Sequence, residues 1–238
     1  MKEIEILKKK TLYAFIVILF IIIFCIAILN LMDHFNLAPK QYYSASDFDI
    51  KTIYSSTDFD NDKIDDYSDF VLGARKDAKN KPEYISKYYD TAYPPDNEGV
   101  CTDVIWRAFK NAGYSLRLMV DNDIKSYPDD YPNIKHRDNN IDFRRVVNLN
   151  VFFNRYSENL TTDPNEISSW QPGDIVIFNN AHIGIISDRR NNKGIPYVIH
   201  NNGQLNREED YLTKKNISAH YRFDASKIPK EILIKWEN

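Results

Sequence analysis

Three residues of this sequence have the types and the spacing for nucleophilic catalysis. Cys101 opens CTDVIWRAFKNAGY, His182 opens HIGIIS, and His200 closes IPYVIH. A free thiol, with a pKa near ~8.5, is mostly protonated at neutral pH. A helix N-terminus and an adjacent imidazolium can lower that pKa and give a standing thiolate. The imidazole of His182 would hold the ion pair and then protonate a leaving amine. His200 would orient His182 through its other ring nitrogen. The N–H of Cys101, with a nearby polar donor, would form the oxyanion hole.

The elements that must position these groups can be read from the surrounding pattern. Cys101, Ile105, Ala108 and Ala112 share one helical face, and Gly113 supplies the stop. Cys101 therefore belongs to the first turn of a helix, on its inward face, after the turn residues PPDNEG. Asp174–Phe178, His182–Ser187, Ile195–His200 and Ser218–Phe223 read as strands. In a hairpin closed over 188–194, the start of one strand faces the end of the next. His182 and His200 then fall on one face, with Gly184 leaving room beside them. Thiol and imidazoles line up if that face packs on the Cys101 helix. Helices are also expected over Tyr67–Asn80 and Val147–Tyr156, and a polar functional loop over 121–148. Helices followed by an antiparallel meander give an α+β fold.

The two cysteines are divided by the N-terminal segment. Residues 11–32 carry no charge and are long enough to cross a ~30 Å hydrocarbon core as a helix. Cys25 lies inside this stretch, which lacks the cleavage pattern of a secretory signal. Lys2, Lys8, Lys9 and Lys10 precede it and Asp33 follows. The positive-inside rule makes residues 1–10 a cytoplasmic tail, 11–32 a single-pass signal anchor of the cell membrane, and the rest extracellular. Residues 33–57 read as a stalk and 67–238 as the catalytic domain. The exported part keeps 27 basic and 32 acidic residues and one thiol, Cys101. That charge argues against nucleic acid as a partner. One exported cysteine excludes a disulfide framework and a four-thiolate zinc site. His34 in the stalk, His136 and His220 receive no role.

Residues 58–69, DFDNDKIDDYSD, place oxygen ligands at alternate positions. Asp58, Asp60, Asp62, the Ile64 carbonyl, Asp66 and Asp69 occupy positions 1, 3, 5, 7, 9 and 12 of a calcium loop. Two features depart from that pattern: Lys63 stands where the turn wants glycine, and Asp69 replaces the closing Glu. The competing reading is a solvated acidic linker. Any calcium here would be structural, since the cysteine chemistry needs no cofactor.

The order of thiol at a helix start, Pro172-Gly173-Asp174 turn, His182-Ile183-Gly184-Ile185 strand and His200 at a strand end resembles the NlpC-type branch of the papain-like cysteine hydrolases. More closely, Tyr93 to Asp224 is similar to a bacterial family, the domain of unknown function 1287. The similarity rests on Asp96 to Asp103, Asn140 to Val146, Trp170 to Val176, His182 to Gly184 and Ile199 to Asn201. The wider resemblance implies a papain-like fold, with N-terminal helices packed on an antiparallel sheet. It also implies an amidase or endopeptidase that cuts peptidoglycan peptides through Cys101, His182 and His200. Thr102-Asp103 stands where the NlpC pattern has Ser-Gly, and Asp103 could oppose the thiolate or bind a substrate amine. Arg144 and Arg145, in the long loop, could pair with the free carboxylates of wall peptides. A non-catalytic wall-binding module and a cysteine acyltransferase or transpeptidase remain open on the same fold.

Overall fold

The computed structural model describes residues 2–34 and 41–237. They fall into two compact units, residues 1–40 and residues from 41 onward. In the first, α1 (Lys2–His34) contains the stretch Ile4–Met32, which is long and apolar enough to cross a membrane.

In the second unit, α2 (Asp66–Asn80) and α3 (Cys101–Asn111) pack on each other. A short parallel pair, β1 (Glu83–Tyr84) and β2 (Glu98–Gly99), lies between them in sequence. Two further helices follow, α4 (Leu116–Ser126) and α5 (Val146–Tyr156). The main sheet has six strands: β3 (Glu158–Asn159), β4 (Ile175–Phe178), β5 (His182–Arg190), β6 (Pro196–Ile199), β7 (Glu208–Glu209) and β8 (Ile217–Arg222). Their order is β3-β8-β4-β5-β6-β7, with every pairing antiparallel. This is the expected α+β arrangement.

Alternation along the strands sorts the core into two layers. Ile175, Ile177, Ile183, Ile185 and Ile199 join the helices in one cluster, with Phe70, Phe109 and Cys101. Val176, Phe178, Ile186 and Val198 form a second cluster on the other face, with Trp170, Tyr211 and Leu212. Burying these apolar side chains supplies the main driving force for the fold.

Two sequence expectations change. The expected loop 121–148 begins inside α4, because Leu116, Met119, Val120, Asp123 and Ile124 make one buried helical face. The polar Asp123 hides that pattern, and it is buried because Tyr131, Tyr156 and Arg155 all donate to it. The expected stalk 33–57 also divides. Residues 33 and 34 continue α1, 35–40 lie outside the described residues, and 41–57 belong to the second unit. Tyr43 and Arg190 exchange both backbone hydrogen bonds, and the Ile53 N–H donates to Gln171 Oε1.

The Pro172-Gly173-Asp174 turn anchors the sheet. Asp174 is buried and accepts two bonds from the Arg222 guanidinium at 2.7 Å each, with His220 Nε2 at 2.9 Å. His220 is buried and stacks on Trp170 at 3.7 Å. Gly173 adopts φ +87°, and a Cβ there would meet the Tyr67 carbonyl at 2.7 Å. Gly173→Ala is therefore expected to destabilise the protein by about 1–3 kcal/mol, read as a lower midpoint in urea unfolding.

Candidate active site

The thiol is placed by the N-terminus of α3. Val100, in an extended conformation, caps the helix, and its N–H donates to Asp103 Oδ2 at 2.7 Å. Asp103 is fully buried, and it also accepts the Trp106 indole N–H and a two-pronged bond from Arg144, 2.7 Å to Nε and 2.9 Å to Nη2. Arg144 comes from a short turn of helix at Asp142–Arg144, and its carbonyl accepts the Thr102 hydroxyl at 3.0 Å. Asn201 Nδ2 donates to the Gly99 carbonyl at 3.1 Å, tying the residue just before this cap to the end of β6.

The histidines converge as the hairpin register requires. Ile185 pairs with Ile199, so Gly184 stands beside His200 and His182 is a diagonal neighbour. His182 Nε2 and His200 Nδ1 are 2.9 Å apart. A Cβ on Gly184 would meet Val198 Cγ1 at 2.6 Å and His200 Cβ at 3.1 Å, so the glycine is what lets β6 and His200 come this close. The far nitrogen of His200 lies 3.2 Å from Glu209 Oε1, and Lys214 holds the other oxygen of Glu209 at 2.9 Å. Gln204 Nε2 sits 3.2 Å from both His200 nitrogens, and the Tyr211 ring packs on His200 at 4.3 Å. His182 Nδ1 makes no hydrogen bond among the described residues.

The thiol does not meet the imidazoles in the way the sequence implied. By alternation His182, Gly184 and His200 lie on the sheet face away from α3, whereas Cys101 packs with Ile183 and Ile185. The two sides meet where the β5–β6 ladder stops at Ile185–Ile199. Beyond it the N–H of Ile183, the residue after His182, is directed at the Cys101 sulfur. Among the described residues the thiol makes no hydrogen bond to either imidazole.

The resting charges also differ from expectation. Burial pushes the Cys101 thiol up to about 11, against the N–H groups of Ile183 and Thr102, while the Asp103 charge adds to the rise. Burial and the neighbouring His200 push His182 down to about 3. His200 is also lowered by burial, opposed by Glu209. At neutral pH the site therefore holds a neutral thiol and neutral imidazoles. The gain from the helix N-terminus does not offset the desolvation of a sulfur that is 5% exposed.

Other candidate residues take different positions. Asp103 and Arg144 are committed to each other, with side chains 0% and 2% exposed, so neither has a free charge for a substrate. Their role is to hold the start of α3. Arg145 is exposed, 3.9 Å from Asp142, and lines a shallow pocket of about 530 Å³ with Tyr88, His136 and Asp138. In the acidic loop, carboxylate oxygens of Asp58, Asp60 and Asp62 lie within 4.8 Å of one another. Asp66 is drawn out of the expected ligand set: Oδ1 accepts the Phe59 N–H and Oδ2 the Tyr114 hydroxyl. Glu209, Gln204 and Tyr211 were not foreseen. Glu208 and Glu209 stand in a run of four charged residues, 207–210, yet both are buried in β7.

With this geometry in place, comparison with known proteins gives a family. The description "Domain of unknown function (DUF1287)" matches residues 71–223. The chain belongs to the DUF1287 family. It is similar to the uncharacterized protein YijF of Escherichia coli strain K12, 37% identical over 162 residues, covering 63% of this chain and 78% of that one. No solved structure matches it. The match to the DUF1287 family spans α3, the hairpin of β5 and β6, and β7, and so contains Cys101, His182, His200 and Glu209.

Two outcomes test this geometry. Alkylation of Cys101 by iodoacetamide should be slow at neutral pH and rise steeply between about pH 9 and 11, since the thiolate appears only there. A reactivity plateau reached below pH 8 would contradict a buried neutral thiol. Asp103→Asn should destabilise the protein by about 3–5 kcal/mol by leaving Arg144 buried without its counter-charge. Urea unfolding without any substrate measures this.

Proposed function

We propose that the chain is a membrane-anchored cysteine hydrolase that cleaves amide bonds in cell-wall peptides, on a papain-like fold of the NlpC type. The observation that carries this reading is the His182–His200–Glu209 chain, which ends one residue from the N–H directed at Cys101. A carboxylate behind an imidazole fixes its tautomer, and here two imidazoles are placed in series. Glu209 accepts from His200 Nε2–H, His200 Nδ1 then accepts from His182 Nε2–H, and His182 Nδ1 is left as the basic nitrogen.

A neutral imidazole and a neutral thiol at rest set the order of events. His182 Nδ1 takes the Sγ proton as the sulfur attacks the carbonyl carbon, so no thiolate has to exist beforehand. The N–H of Cys101 at the start of α3 is a donor for the oxyanion. As the C–N bond breaks, His182 returns the proton to the leaving amine and a thioester remains. Water, deprotonated by the same nitrogen, then hydrolyses the thioester and restores the thiol. Exposed Arg145, only loosely paired with Asp142 at 3.9 Å, suits a peptide carboxylate.

The apolar helix and the cations before it support an anchor with this chemistry on the outer face of the membrane, where the wall is. Full-length protein in detergent, incubated with purified muropeptides, should release peptide fragments that mass spectrometry detects. Cys101→Ala should abolish this release, and Glu209→Gln should slow it about 10–100-fold with little change in KM. Equal product profiles for wild type and Cys101→Ala would refute the reading. Gly184→Ala should cost activity and stability together, because it drives His200 away from His182.

A further inference from the structure

The acidic loop before α2 is the strongest feature that the catalytic reading leaves unused. Three carboxylates, Asp58, Asp60 and Asp62, hold oxygens within 4.8 Å of one another. Ligands at 2.3–2.6 Å from a calcium ion lie up to about 5 Å apart, so this spacing fits one ion. Lys63 adopts the left-handed conformation, φ +80°, at the position that glycine usually fills. That removes the first objection raised by the sequence.

The independent observation lies beneath the loop. Asp69 is 1% exposed and its Oδ2 is buried with no hydrogen-bond partner among the described residues. Its Oδ1 is held by Asn111 Nδ2 at 3.0 Å, which leaves Oδ2 for another partner. Asp69 stands outside the 4.8 Å trio but at the same end of α3: it is bonded to Asn111, and Gly113, two residues on, packs against Asp60. No lysine or arginine forms an ion pair with any of these four carboxylates among the described residues. Leaving a buried carboxylate oxygen unsatisfied beside three like charges is costly, and a divalent cation removes that cost. Oxygen-only ligands select a hard ion.

We propose that residues 58–69 bind one calcium ion through Asp58, Asp60, Asp62, the Ile64 carbonyl and Asp69. Asp66 braces the loop through Phe59 and Tyr114 instead of ligating. The site also has a mechanical consequence. Asp69 holds Asn111, the last residue of α3, and Gly113 packs directly on Asp60. Calcium would therefore fix the C-terminal end of the helix whose first residue is Cys101. An extracellular module of this kind binds at about 0.1–1 mM.

The test uses full-length protein in detergent, freed of metal by chelator, and reads binding and melting without reference to activity. Calorimetry with calcium chloride should give one site at roughly 0.1–1 mM. About 10 mM calcium should raise the Tm by roughly 5 °C. The double variant Asp60→Asn, Asp62→Asn keeps acceptor oxygens for the turn but loses two charges. In chelator it should melt no lower than wild type, and calcium should no longer shift it. No heat and no shift at that calcium level would overturn the proposal. So would an equal response to magnesium, a calcium shift that survives in the double variant, or a double variant that melts well below wild type in chelator.

Discussion

The buried pair between Asp103 and Arg144 decides where the N-terminus of α3 sits, and the thiol depends on it. The carboxylate draws together the capping N–H of Val100, the Trp106 indole and the guanidinium. Arg144 lies 41 residues further along the chain and also binds the Lys87 carbonyl, so one interaction joins three separate segments. Such a pair adds little net stability over an apolar replacement, but breaking it leaves a charge stranded in the core. The local order it imposes is specific. It holds Cys101 at the open end of the β5–β6 ladder, near the N–H of Ile183.

Burial sets the chemistry of the site. The same desolvation raises the thiol and lowers His182, so the resting state is neutral on both sides. Burial of both groups disfavours an ion pair formed in advance. The buried Glu209 lies 3.2 Å from His200 on the far side, and in the proposed mechanism it would stabilise the positive charge when a proton arrives at His182. Aspartates thus brace both ends of α3, Asp103 at Cys101 and Asp69 at Asn111.

Much of this was legible in the sequence. The apolar helix, α2, α3, α5 and the four long strands follow from periodicity, because their buried faces are built from Phe, Ile, Val and Ala at regular intervals. The proximity of His182 and His200 follows from hairpin register alone. Three features were hidden by buried polar groups. Asp123 made α4 look like loop, and Glu209 was concealed in a charged run. Asp103 and Arg144, read singly, resembled substrate-binding groups because a pair 41 residues apart leaves no local signal. The face of the sheet to which the thiol belongs was also not deducible, since it depends on where the β5–β6 ladder ends.

The central claim is a neutral imidazole chain, His182 to His200 to Glu209, standing ready as the base for Cys101. The most direct measurement is a nitrogen-15 NMR titration of the imidazole rings in full-length protein in micelles, with His182→Gln to assign the signal. His182 should remain neutral from pH 8 down to below about pH 5, with its proton on Nε2 and Nδ1 bare. A His182 ring that titrates near its ordinary value of about 6.5, or that carries its proton on Nδ1, would contradict the account.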